Sequence, residues 1–353
     1  MSPPSASAGS RPTPSASAGS RPTPSASAGS RPTPSASAGS RPPAAWLGVE
    51  IGGTKVALRA EAPGGRFRER VVRWHGRGVA SDMAQLATEV GLLRLAVPGG
   101  FAAVGIALPA TVGPDDRVAV WPSRPEWIGL HVRRAMAELF PGTPVGWAGE
   151  GDLAALAEAE ATGCADVLYV EVGTGVGGGL TSGAGPLPGL GRGSFALGHV
   201  VTDPDGPPCR CGRRGCLQSI ASGPATLARA SRLHGAEVTY RGLREGFALQ
   251  ESWAVQAVDR TCHRIALAVT GVRELMHPGL VVVGGGFAAG LPGFVDAVAR
   301  HLHALARPGV PAPPVRPSCR GGLTSLRGAV ALARVLGRAP VGTAAPAGHD
   351  PPG

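Results

Sequence analysis

The sequence predicts an α/β protein with mixed sheets arranged in two lobes. Three observations carry that expectation. Short apolar runs of strand length alternate with stretches of helical spacing. Three of those runs end directly in glycine-rich turns, at Gly52, Gly173 and Gly284. The first three runs follow one another without a helix, a meander that argues against a TIM barrel.

Trp46 to Ile51 reads as a buried strand feeding a Gly-Gly turn, and Val56–Ala60 and Arg68–Trp74 complete the meander. Met83, Leu86, Val90 and Leu93 give Ser81–Leu95 helical spacing. Phe101–Leu108 is a buried strand stopped by Pro109. Leu130–Phe140 reads as a helix, Pro144–Ala148 as a strand and Leu153–Ala161 as an Ala-rich helix. Val167–Val172 and Val176–Leu180 form a strand pair around glycines. A long helical stretch covers about Leu249 to Met276, Leu280–Val283 is a strand, and Phe294–Leu305 and Leu323–Leu336 are helices.

The chain of 353 residues is 43% apolar, enough for one large or two medium cores. Residues 4–43 are four copies of a ten-residue Ser/Ala/Pro unit, each with one Arg. Residues 1–43 offer no large apolar side chain after Met1, so they are expected to be a disordered arm, and the Pro/Gly-rich tail is read the same way. The net charge of +10 owes four charges to those repeats, and all but one of the 34 basic residues are Arg. That is a coding bias rather than a nucleic-acid footprint, and aromatics at 4% supply no stacking platform. The most apolar window, Leu280 to Val298, is broken by five Gly, a Pro and Asp296, so no membrane span is expected. No secretory signal opens the chain, and the expected location is the cytoplasm.

The single lysine, Lys55, lies in the first glycine turn, Glu50-Ile51-Gly52-Gly53-Thr54-Lys55. The second is Glu171-Val172-Gly173-Thr174-Gly175, and the third is Gly284-Gly285-Gly286. Glycine lets backbone N–H groups approach phosphate oxygens without a Cβ in the way, and Thr54 and Thr174 add hydroxyl donors. Each alone could be a tight hairpin; three together favour a phosphate cradle. Neither a Walker A loop nor a dinucleotide turn explains them, since no Gly-x-x-x-x-Gly-Lys-Ser/Thr occurs and a hairpin follows Gly175.

His199, Cys209, Cys211 and Cys216 are spaced His-x9-Cys-x-Cys-x4-Cys within turn-rich sequence. One His and three Cys suit a closed tetrahedral Zn²⁺ site that would hold a loop rather than activate water. Disulfides are the competing reading, disfavoured in a cytoplasmic setting. A zinc-bound His199 keeps a second ring nitrogen for a ligand. Cys164, Cys262 and Cys319 read as ordinary buried thiols.

From about residue 45 to 337 the chain resembles the ROK family, which contains repressors and sugar kinases. The specific part is Gly198-His199 through Cys209-x-Cys211-Gly212-x-x-Gly215-Cys216-Leu217, with Leu275-Met276-His277-Pro278 and Val281–Gly286 behind it. The resemblance implies an actin-like ATPase (ribonuclease H-like) fold binding ATP between its lobes. It divides the chain into the arm 1–43, an N-terminal lobe 44–148, a C-terminal lobe 149–321 with a zinc loop 199–216, a helix 322–337 returning to the first lobe, and the tail 338–353. A repressor would need a winged helix-turn-helix where the repeats stand, and such repeats form no recognition helix.

By the same resemblance, Glu150 takes the position of the catalytic base, with Asp152 as the alternative two residues on. Asp152 otherwise reads as the N-cap of the following helix. Glu50 is implied to orient Mg²⁺ through water. The implied substrate contacts are Ser123, Gly149, Glu150, His199 and Gln218, and several differ from the family pattern: Ser123 and Gly149 replace Asn, Ala196 and Gln218 replace Glu, and Ala110 replaces Gly. Retained phosphate turns beside altered hexose contacts suggest a kinase with a changed acceptor. The expectation is an ATP-dependent kinase acting on the exocyclic primary hydroxyl of a C7-cyclitol of the valienone or valiolone kind, in antibiotic biosynthesis. A hexose or amino-hexose 6-kinase and a noncatalytic sugar binder are the alternatives. Relatives of this kind are often dimers, so a homodimer is expected although no sequence feature specifies it.

Overall fold

The computed structural model describes residues 44–338 except 184, 191 and 192; the expected arm and nearly all of the expected tail lie outside the described residues. Its first sheet begins with the meander of β1 (Ala45–Ile51), β2 (Lys55–Glu61) and β3 (Phe67–Arg73). After α1 (Val79–Ala96) come β4 (Phe101–Ala107), a small hairpin of β5 (Thr111–Val112) and β6 (Val118–Val120), α2 (Val132–Leu139) and β7 (Val145–Ala148). The strand order is β3-β2-β1-β4-β7, with β4 and β7 parallel to β1 and the meander antiparallel.

The second sheet repeats this plan. After α3 (Glu150–Thr162) come β8 (Val167–Val172), β9 (Val176–Ser182) and β10 (Gly185–Leu187). Four helices follow: α4 (Leu217–Ala221), α5 (Gly223–His234), α6 (Tyr240–Ala248) and α7 (Ser252–Met276). Then come β11 (Leu280–Gly284), α8 (Gly286–Ala289), α9 (Phe294–Ala304), β12 (Val315–Pro317) and α10 (Thr324–Arg338). The order is β10-β9-β8-β11-β12, again a meander joined to two strands parallel to its first member.

Each sheet has its own core. Leu47, Val49, Ile51, Val104 and Ile106 meet Leu86, Val90 and the edge-to-face pair Trp121–Trp127 in the first. Leu168, Val170, Val281 and Val283 meet Val258, Ile265 and Val269 of α7 and Phe294 of α9 in the second. The alternation of strands and helices is as expected, but α4, α5, α6 and the short strands β5, β6, β10 and β12 were not anticipated. The Gly-Pro that opens α5 looks like a breaker in sequence; here Pro sits in the first turn, where it costs no hydrogen bond. The long helix starts at Ser252 rather than Leu249, because Gln250 adopts a left-handed φ of 58° that ends the preceding turn.

Helices α3 and α10 lie between the two sheets, and small residues let them do so. Gly48, Gly105 and Gly146 stand in register across β1, β4 and β7. A Cβ at Gly48 would come within 2.7 Å of Val330, one at Gly146 within 2.9 Å of Leu336, and one at Gly105 would collide with the Ala329 carbonyl. Helix α10 therefore rests directly on the backbone of the first sheet. Gly328 likewise meets Leu153 of α3, and Gly151 of α3 meets the backbone of Gly178 and Gly179 on β9. These close approaches set the position of Glu150, the first residue of α3.

Candidate active site

The carboxyl ends of β1, β7, β8 and β11 carry Glu50, Gly149, Glu171 and Gly284 into one crevice, where ligands of parallel α/β sheets characteristically bind. In the first turn, Gly52 N–H donates to Lys55 O at 2.9 Å. Trp74 Nε1 donates to Gly52 O at 2.8 Å and Arg124 Nε to Gly53 O at 3.0 Å. Arg124 is buried against Asp82, which also accepts from Trp127 Nε1 at 2.7 Å. Ser123 lies so close to Gly53 that a Cβ there would come within 2.6 Å of its hydroxyl. Lys55 Nζ is 3.6 Å from Glu50 Oε1, and Ser325 Oγ of α10 donates to Glu50 Oε2 at 2.8 Å.

The second turn joins β8 to β9, a hairpin as expected, with Gly173 N–H donating to Gly175 O at 2.9 Å. In the third turn Gly285 has a φ of 89° and no room for a Cβ against the Val172 backbone, so only glycine fits. A cavity of about 210 Å³ opens there, lined by Glu171, Gly284, Gly285, Gly286, Thr324 and Ser325. A second cavity, of about 290 Å³, lies beside Trp147 and Gly149 and is also lined by Ala110, Ser194 and Ala196.

Glu150 faces Glu50, Glu171 and Lys55. Burial, then the charges of Glu50 and Glu171, push its carboxyl up to about 7, with Lys55 pulling the other way. Burial and the Glu50 charge also raise Glu171. Asp152 is pushed to about 7 by burial, opposed by the N–H groups of Phe195 and Gly149. Phe195 N–H reaches Asp152 Oδ1 at 3.1 Å. The helix begins after Gly149, so Asp152 is not its N-cap; it is the third helical residue and folds back on the cap.

His199, Cys209, Cys211 and Cys216 converge, with one ligand atom from each within 4.8 Å of every other. Cys209 Sγ is 3.8 Å from His199 Nδ1, and Cys211 Sγ is 3.6 Å from Cys216 Sγ. Tetrahedral zinc with Zn–S of about 2.3 Å would place its sulfurs roughly 3.8 Å apart, so the donor set fits that ion. A disulfide needs about 2.05 Å, and all six cysteines are free. Of the three outside the cluster only Cys262 is buried as expected, Cys164 being half-buried and Cys319 exposed. Nδ1 faces the thiols and leaves Nε2 as the free nitrogen of His199. Gln218 turns its amide N–H to Cys209 Sγ at 3.3 Å.

Of the sequence-predicted residues, Glu50, Gly52, Gly53, Lys55, Ser123, Gly149, Glu150, Gly173, Gly175 and Gly284–Gly286 stand around the crevice, and His199, Cys209, Cys211, Cys216 and Gln218 form the thiol cluster. Asp152 turns back to Phe195, and Thr54 and Thr174 are exposed in their turns. The sequence reading passed over the brace of Trp74, Asp82 and Arg124, and over Glu171, Ser194 and Ser325. Glu171 carried a usable signal, since it precedes its glycine turn by the same two residues as Glu50. Ser325 carried none, because it lies 275 residues from Glu50.

A model of the ROK family matches residues 46–335. The chain is 52% identical over 291 residues to a kanosamine kinase from Amycolatopsis mediterranei, covering 82% of this chain and 96% of that one. A ROK hexokinase from Thermus thermophilus is similar with a TM-score of 0.74 at 29% identity, over 82% of this chain and 98% of that one. A ROK family glucokinase from Streptomyces griseus, solved with glucose and AMPPNP, has a TM-score of 0.66 at 24% identity over 82% and 99%, a likeness of fold. The two-sheet plan is accordingly the expected actin-like ATPase fold. The chain therefore belongs to the ROK family, as one of its sugar kinases.

Proposed function

We propose that this kinase transfers the γ-phosphoryl group of ATP to the exocyclic primary hydroxyl of an amino hexose of the kanosamine kind, a glucose with an amine in place of its 3-hydroxyl. The observation that carries the reading is the setting of Glu150, a carboxyl held at about 7 between the glycine turns of both sheets. A base poised near the working pH can take a proton from an alcohol and give it up again. The 52% identity to a kanosamine kinase supports the amino hexose over the cyclitol expected from sequence alone. Charge supports it too, since Glu50, Glu150 and Glu171 face one another in the crevice, an excess of acids that an ammonium group would offset.

In this reading the turns at Gly52–Gly53, Gly173–Gly175 and Gly284–Gly286 cradle the phosphates. Gly52 and Gly173 use their own N–H groups to close their turns. The backbone of Gly53, Gly175, Gly285 and Gly286 faces the phosphates, and Thr54, Thr174 and Lys55 add polar contacts. Glu150 accepts the hydroxyl proton as the new O–P bond forms and the bond to the leaving ADP oxygen breaks. Mg²⁺, when bound, neutralises charge on the β- and γ-phosphates. Glu50, held by Lys55 and Ser325, would orient it through water. Ser123, Gly149, His199 and Gln218 border the acceptor. His199, Cys209, Cys211 and Cys216 would hold Zn²⁺, which pins the loop carrying His199. The need for ATP and for reduced thiols supports a cytoplasmic setting for this reading. Among the described residues no helix is long and apolar enough to cross a membrane.

The test is ADP release measured with kanosamine, glucose, glucosamine and a valiolone-type cyclitol as acceptors. Kanosamine should show the highest kcat/KM. A higher value with the cyclitol would restore the earlier expectation, and nucleotide or sugar binding without turnover on any acceptor would favour a noncatalytic binder.

A further inference from the structure

Gln218 stands two residues beyond Cys216, in the first turn of α4, and touches two sites at once. Its Nε2 donates to Cys209 Sγ at 3.3 Å. Its Oε1 lies over Gly175, so close that a Cβ there would come within 3.3 Å of it. One side chain therefore spans from a thiol of the metal cluster to the middle glycine turn.

The backbone on either side makes the same connection. Gly198, beside His199, packs on Val176 with no space for a Cβ against its carbonyl. Gly223, just past α4, donates its N–H to Gly173 O at 2.8 Å. The Gly173–Val176 turn is thus bounded by the segment 198–223, which contains all four metal donors. Gln218 thus joins a donor atom to the turn through a single side chain, by a hydrogen bond at Cys209 and a close approach at Gly175. If the thiol moves, the amide loses its partner, and the side chain over Gly175 loses its anchor.

We propose that Gln218 is a positioning residue that couples occupancy of the His199/Cys209/Cys211/Cys216 metal site to the shape of the Gly173–Gly175 turn, so that metal and nucleotide favour each other's binding. The inference rests on the zinc reading above. Coupling between two binding events is reciprocal, so bound nucleotide must protect the metal by the factor with which the metal improves nucleotide affinity.

The experiment uses the purified full chain, with zinc content measured first and no sugar acceptor present, so that any contact of Gln218 with the acceptor cannot move the result. Zinc affinity is measured by chelator competition with and without saturating ADP, and ADP affinity by calorimetry on the metal-loaded and metal-depleted chain. In the unaltered protein ADP should strengthen zinc retention roughly fivefold, the low end of usual coupling. Gln218→Glu keeps the size and the oxygen over Gly175 but cannot donate to sulfur; Gln218→Ala removes both contacts. Both should keep one zinc per chain while ADP protection falls below about twofold. Equal protection in the two variants would overturn the proposal. So would an unaltered protein that holds zinc but gains nothing from ADP, which needs no variant to fold. A protein that carries no zinc before any ADP is added would overturn the zinc reading itself, a result visible separately.

Discussion

Glu150 and Asp152 are two residues apart, both raised to about 7, yet they occupy different surroundings. Asp152 spends its oxygens on the N–H groups of Phe195 and Gly149, whereas Glu150 faces other acids across the crevice. Glu150→Gln should lower kcat by roughly 10²- to 10⁴-fold with ADP affinity unchanged in calorimetry. Asp152→Asn, which can still accept the Phe195 N–H, should cost far less. The raised carboxyl also fixes a pH dependence. A carboxyl with a folded-state value above its usual 4.5 binds its proton more tightly in the folded chain. Its contribution to stability is full below pH 4.5 and is lost as pH rises through 7. Glu150→Gln should therefore raise the melting temperature at pH 8 and leave it nearly unchanged at pH 4.5. The gain is at most about 3 kcal/mol, reduced by whatever water screens in the open crevice. The rate should rise with pH and level off above about 7, and a flat profile from pH 5.5 to 8 would remove Glu150 as the base. At this scale the site was legible where chemistry demands a residue type: glycine turns that backbone must approach, acids at strand ends, a His with three Cys. It was illegible where the partner is remote, as with Ser325 on Glu50 or Arg124 on Gly53.

The elements show why some glycines are structural rather than flexible. Gly105 lies in the row on which α10 rests, and a Cβ there meets backbone that cannot swing aside. Gly105→Ala should destabilise the protein by about 2 kcal/mol or more, the cost of overpacking a tight contact. Gly91, inside α1, has nothing within 4 Å of its would-be Cβ. There Gly91→Ala should stabilise by roughly 0.5–1 kcal/mol, because only helix propensity changes. Urea unfolding of both variants reads the contrast, and equal effects would contradict the close packing of α10. The strands and longer helices were legible from periodicity because each buries a continuous face. Short α4 and α6 were not, since one or two turns present too few apolar positions. β12 was hidden by its own proline, tolerated only because it is an edge strand.

At the scale of the whole molecule, the segment that carries His199 and the three clustered thiols lies against the second sheet rather than apart from it. Depleting the metal with a strong chelator should lower the melting temperature by several degrees and weaken ADP binding, while Glu150→Gln leaves metal content intact. Unchanged melting after verified depletion would mean that the cluster holds nothing the fold needs. The alternation of strands and helices was enough to anticipate two lobes of mixed sheet. It was not enough to reveal that the two sheets follow one strand order, because sequence periodicity reports which face is buried and not which strand is the neighbour.

That shared wiring has an electrical result. Glu50 and Glu171 are the next-to-last residues of the corresponding strands, each two residues before its glycine turn, so the shared order delivers like charge to the crevice from both sheets. Like charges so placed oppose each other, and a cation settling between them relieves both at once, so the common strand order sets the sign of what the crevice favours.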